Sequence, residues 1–116
     1  MANAKEEFIM HVGNKIVKCA TIDYCPYSFR YEDEQEETTH LLHVGYTKEE
    51  YNAFLDSLDF MYDDGYGAQQ LHGTIWYVGD TWSDRYEYDG SECWDFHKCP
   101  GIPVSLFNAT FLNSFK

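Results

Sequence analysis

The sequence predicts an α+β fold in which an antiparallel sheet packs against one amphipathic helix. Three observations carry that expectation. Residues 47–63 repeat apolar side chains at helical spacing behind a capping pair, residues 69–96 read as three strands joined by Gly79-Asp80 and Asp89-Gly90, and residues 7–22 read as a hairpin about Gly13-Asn14. At 116 residues the chain has room for one domain, 1–116, and not for a second ordinary core. With 44% hydrophobic residues and 18% aromatic ones, that core needs neither metal nor disulfide.

The N-terminal hairpin rests on two β-favouring runs, EFIMHV and KIVKCATI, flanking a two-residue Gly-Asn turn. Alternation along the second run sends Cys19 inward with Val17, where burial makes a thiol inert. Pro26 then breaks the strand. The run EDEQEE places Glu32, Asp33, Glu34, Glu36 and Glu37 together, and like charges at that density favour a solvated loop. Leu41, Leu42 and Val44 suggest another strand, with no clear buried face.

The helix begins where Thr47 and Glu50 form a capping box, each side chain satisfying a free backbone N–H. Tyr51, Phe54, Leu55, Leu58 and Met61 make its apolar stripe, and Gly65 and Gly67 end it. Its opposite side offers Glu49, Asn52, Asp56, Asp59 and Asp63, continued by Asp64. In the meander that follows, the central strand puts Trp82, Asp84, Tyr86 and Tyr88 on one face and Ser83, Arg85 and Glu87 on the other. The simplest packing sets the helix on the aromatic face. Beyond it, Phe107, Phe111, Leu112 and Phe115 form an apolar tail that packs on the sheet or mediates self-association, so a homodimer is an open reading.

Twenty acidic against eight basic residues give a formal charge of −12. Such a field repels nucleic acid and anionic membranes and draws the chain toward basic clefts. No apolar run reaches the roughly 18 residues of a membrane span, and Glu6 and Glu7 stand where a signal peptide needs apolar residues. A cytoplasmic protein is expected, in which the Asn108 sequon carries no meaning and cysteines are free thiols or metal ligands.

Cys19 and Cys25, in CATIDYCP, match Cys93 and Cys99, in CWDFHKCP, with His97 inside the second segment. Four such ligands can hold tetrahedral Zn²⁺. Six positions of extended chain span roughly 20 Å, however, so each segment would have to bend. The expectation is structural thiols and no cofactor, with a zinc module as the alternative. An enzyme is a further alternative, without a nucleophile elbow, phosphate loop or HExxH to support it.

The segment GTIWYVGDTWSDRYEYDGSECWDFHKCPGIP, residues 73–103, resembles a motif of small proteins encoded by bacteriophages and mobile elements, through its aromatic hairpin, Trp94 and His97-Lys98-Cys99-Pro100. In its short, acidic, aromatic-rich make-up the chain also resembles anti-CRISPR proteins and other phage inhibitors of bacterial defence. That resemblance implies an inhibitor occupying the basic, nucleic-acid-handling site of a host defence protein. Carboxylates take the place of phosphates, and Tyr and Trp supply buried anchors. The expected contact residues are Glu32, Asp33, Glu34, Glu36 and Glu37, then Asp56, Asp59, Asp63 and Asp64.

Overall fold

The computed structural model describes residues 1–26, 37–65, 69–88, 91–101, 103 and 105. The expected α+β class holds, with helices on an antiparallel sheet. In chain order the elements are β1 (Ala2–Asn3), α1 (Ala4–Val12), β2 (Val17–Tyr24), β3 (Thr38–Leu42), α2 (Lys48–Ser57), β4 (Met61–Tyr62), β5 (Leu71–Tyr77), β6 (Thr81–Tyr88) and β7 (Ser91–Lys98). The five long strands form one sheet in the order β3-β2-β5-β6-β7, and β1 pairs with β4 beside it. The expected meander is β5-β6-β7; its first link passes through Gly79 at φ +107°, while the Asp89-Gly90 link lies outside the described residues.

The first arm of the N-terminal hairpin is corrected: residues 4–12 form a helix, and only the second arm is a strand. The Asn3 side chain accepts a hydrogen bond from the Glu6 N–H, and Glu6 and Glu7 sit at the positive end of the helix dipole. Ala4, Phe8 and Val12 are spaced four apart and all buried, which is one helical face. The β-favouring side chains between them, Ile9 and Met10, are exposed. Packing of that face outweighed the local preference of Phe-Ile-Met for strand.

The second helix is the one the capping box announced: the Thr47 hydroxyl accepts from Glu50 N–H and the Glu50 carboxylate from Thr47 N–H. It ends at Ser57, earlier than the glycines suggested. Asp59 and Asp63 therefore lie beyond it, and Met61 stands exposed in β4 instead of completing the apolar stripe.

Both helices cover one face of the sheet. Phe8 meets Phe54 of α2 edge-on at 5.4 Å and Trp94 of β7 at 6.5 Å. Val17, Ala20, Ile22, Leu42, Leu71, Ile75 and Tyr77 complete the core. This inner face carries Ser83 and Arg85 of β6, so the expectation that the helix covers Trp82, Tyr86 and Tyr88 is reversed. The register explains the reversal. Ser83 lies opposite Ile75, which is fully buried, and Arg85 opposite Trp94, so the neighbouring strands set the parity that β6 must follow.

Cys19 is corrected for a related reason. A β-bulge between Val17 and Cys19 interrupts the alternation: Val17 pairs with Tyr77 on the inner face, whereas Cys19 pairs with Trp76 on the outer one. Gly73 lets β2 and β5 close up on one another, since a Cβ there would stand 2.4 Å from the Thr21 carbonyl oxygen. The Gly73→Ala variant should accordingly lose about 2 kcal/mol or more, because backbone must shift to admit the methyl. Chemical denaturation measures it, and an unchanged midpoint would contradict the close approach.

Candidate functional site

Covering one face of the sheet with helices leaves the other to solvent among the described residues. Sheet register arranges that outer face in rows. Cys19, Trp76, Trp82 and His97 are successive partners across β2, β5, β6 and β7, and Thr21, Thr74, Asp84 and Asp95 form the next row. Tyr86 and Tyr88 continue the aromatic set along β6. Trp76 is 43% exposed, Tyr86 50% and Tyr88 70%. The carboxylates that register places here are Asp23, Asp84 and Asp95.

At the β7 edge these groups interlock. The His97 ring stacks on Trp82 at 4.4 Å between centroids, and its Nε2–H donates to Asp84 Oδ1 at 2.7 Å, with Asp95 Oδ2 at 3.7 Å. Stacking and hydrogen bonding together hold the Trp82 indole and the Asp84 carboxylate in fixed orientation. Beside them, at the β5-β6 turn, Trp76, Trp82, Thr74, Thr81, Asp80 and Cys99 line an open cleft of about 510 Å³. Its end is closed by the Cys99 N–H donating to the Asp80 carbonyl at 2.8 Å.

Beneath the sheet lies a second cluster that sequence reading missed. Arg85, 1% exposed in its side chain, donates through Nη1 to Glu7 at 2.7 Å and through Nη2 to Glu92 at 2.6 Å and to the Tyr62 hydroxyl at 2.9 Å. Glu92 also accepts the backbone N–H groups of Gln70 and Leu71. Tyr62 donates to Glu7, and burial, then that hydrogen bond, holds its phenol well above the ordinary value. Arg85 stacks over Trp94 at 5.1 Å, while its Nε and the Trp94 Nε1 are buried without a partner. Both terminal nitrogens of Arg85, both carboxylates and the Tyr62 hydroxyl are engaged by other protein groups. The cluster ties α1, β4, β6 and β7 together. The sequence signal was weak: a lone Arg on an apparently charged strand face.

A similar reading applies to His11 and Ser83. They are joined at 2.9 Å, and Ser83 also meets the Tyr77 hydroxyl at 2.8 Å. A serine–histidine pair invites a catalytic reading, but Ser83 is completely buried and the His11 ring is stacked on Phe96 at 3.9 Å. Burial, partly offset by the Asp95 charge, lowers the His11 pKa, so the ring packs in its neutral form.

The expected acidic contact residues scatter. Glu32, Asp33, Glu34 and Glu36 lie outside the described residues; Glu37 is exposed just before β3. On the helix side Asp56 pairs with Lys5 Nζ at 3.5 Å, Asp59 accepts from Asn3 at 2.9 Å, and Asp64 lies 3.8 Å from the N-terminal ammonium. Asp63 accepts the Gly65 N–H at 3.1 Å. Asp56, Asp59 and Asp64 thus gather about the N-terminal strand and first helical turn, and the Asp64 carbonyl also accepts the Glu92 N–H at the start of β7.

The four cysteines are free thiols. Cys19 belongs to β2 and Cys93 to β7, three strand spacings away, which is roughly 14 Å. The two Cys-x₅-Cys segments thus face one another across the sheet without converging. Among the described residues, no group of three or more His, Cys, Asp or Glu side chains is placed to hold a metal ion. Burial, then the Glu37 and Asp23 charges, push the Cys25 thiol up, away from the reactive thiolate.

No protein-family model, curated protein or solved structure matches the chain. The outer face is therefore interpreted from its own chemistry. Among the described residues it offers broad rings at register spacing, carboxylates between them and an open cleft, the side-chain types found at recognition surfaces. No helix among the described residues is long and apolar enough to cross a membrane.

Proposed function

We propose that this chain is a protein-binding inhibitor of the anti-CRISPR type, acting in the host cytoplasm. Its outer sheet face docks on the basic, nucleic-acid-handling site of a host defence protein. The observation that supports this reading most is the outer-face row of exposed Trp76 and half-buried Trp82 and His97 beside Asp84 and Asp95, on a chain of charge −12. Aromatic residues normally turn toward the core, and here the core is filled by the other face. Trp and Tyr are the side chains that most often anchor interfaces, and flanking carboxylates supply steering toward a positive partner. The acids of residues 32–37 and of the helix side extend the negative field without being the anchors.

The zinc-module alternative gains nothing from cysteines on separated strands. As for catalysis, His97 and Asp84 form a pair, yet among the described residues no serine or cysteine is hydrogen-bonded to that imidazole.

Capture of the tagged protein's partners from bacterial lysates carrying defence systems tests the proposal. A basic nucleic-acid-binding protein should be retained at low salt and released at high salt, where screening shortens to about 3 Å at 1 M. A partner without a basic site, or capture indifferent to salt, would count against it.

A further inference from the structure

We propose that the cleft at the β5-β6 turn is a receptor for a single arginine side chain of the partner protein. This rests on the reading of the outer face as the docking surface and names the chemistry that the surface selects. The cleft has two indole walls, Trp76 and Trp82, and one carboxylate, Asp80, at its turn end. A guanidinium meets both kinds of wall at once: its plane stacks on an indole face, and its edge presents N–H groups in a fork that fits a carboxylate. Lysine offers a compact, strongly hydrated charge and no plane to stack.

Two observations indicate a cation as the occupant. The chain's charge is strongly negative, and Asp80 already has a cation near it, Lys98 Nζ at 3.8 Å. That distance is too long for a good hydrogen bond, and both groups are more than half exposed, so the contact is weak and readily exchanged for a better one. One face of Trp82 is backed by the His97 ring, which is itself hydrogen-bonded to Asp84, and this favours the ring orientation that lines the cleft. About 510 Å³ accommodates an arginine side chain together with a short length of the backbone that carries it.

The test uses a hexa-arginine peptide and a hexa-lysine peptide titrated into the ¹⁵N-labelled full chain, reading the three indole N–H signals. Single Trp→Phe variants assign those signals. The arginine peptide should shift the Trp76 and Trp82 signals and leave Trp94, buried under the sheet, unmoved. It should bind about fivefold or more tightly than the lysine peptide, the margin a stacked guanidinium provides. Trp82→Leu should remove that preference, and Asp80→Asn should weaken arginine binding.

Equal affinity and equal shifts with the lysine peptide would overturn the arginine assignment. So would binding that leaves the Trp76 and Trp82 signals still, or movement of those signals on diluting the protein alone, which would make a second copy the occupant. If a partner is captured from lysate through this face and the two peptides nevertheless behave alike, the docking surface stands and the arginine receptor falls. If neither peptide binds and no partner is captured, both fall.

Discussion

Replacing Arg85 by methionine destabilises the protein by about 3–5 kcal/mol, the cost of leaving buried carboxylates without their cation. Methionine retains much of the side-chain volume, so the loss reports charge more than a cavity. Glu92, with 1% of its side chain exposed, keeps its two backbone donors but loses the guanidinium; Glu7 keeps only Tyr62 among these partners. Adding Glu7→Gln to the Arg85→Met background should recover part of the loss, since a neutral amide tolerates the site better than an unpaired anion. Urea denaturation at neutral pH measures both. A loss below about 1 kcal/mol would mean that water enters the cluster and that the charges are screened, contrary to the packing described.

The double substitution Trp76→Ser with Trp82→Ser weakens partner binding by about 100-fold or more, since two central aromatic anchors each contribute roughly 2 kcal/mol or more. Stability should change little, by about 1 kcal/mol or less, because neither ring belongs to the core cluster. That contrast with Arg85 is the one expected if the inner face holds the fold together and the outer face is the proposed docking surface. A variant that unfolds instead would show that the His97–Trp82–Asp84 arrangement supports the β6-β7 pairing.

What the sequence disclosed followed from local rules. The capping box at Thr47 depends on a few adjacent residues and stands where expected, and the turn expected at Gly79-Asp80 falls in the right place but as a three-residue link, 78–80, centred on Gly79. What it concealed depended on partners distant along the chain. The helical spacing of Ala4, Phe8 and Val12 matters only once Phe54 and Trp94 are there to pack against it. The face that β6 buries is decided by Ile75 and Trp94 on its neighbours, so a strand with four large or polar outward groups could not reveal its own orientation. The bulge that turns Cys19 outward has no sequence signature at Lys18. For the candidate site, counting acids located the charge, while the meeting of Asp56, Asp59 and Asp64 with Lys5, Asn3 and the N-terminus depends on residues far away along the chain. Trp82, Asp84 and His97 become a site only when β6 and β7 are laid side by side.

The most direct measurement is the affinity of a captured partner for three proteins across a salt gradient: the unaltered chain, the Trp76→Ser/Trp82→Ser variant, and a variant with Asp56, Asp59, Asp63 and Asp64 all changed to asparagine. Docking through the outer face predicts that the tryptophan variant loses binding at every salt concentration, while the asparagine variant binds nearly as well as the unaltered chain and loses part of the salt dependence. Full binding by the tryptophan variant together with loss in the asparagine variant would contradict it and move the interface to the helix side.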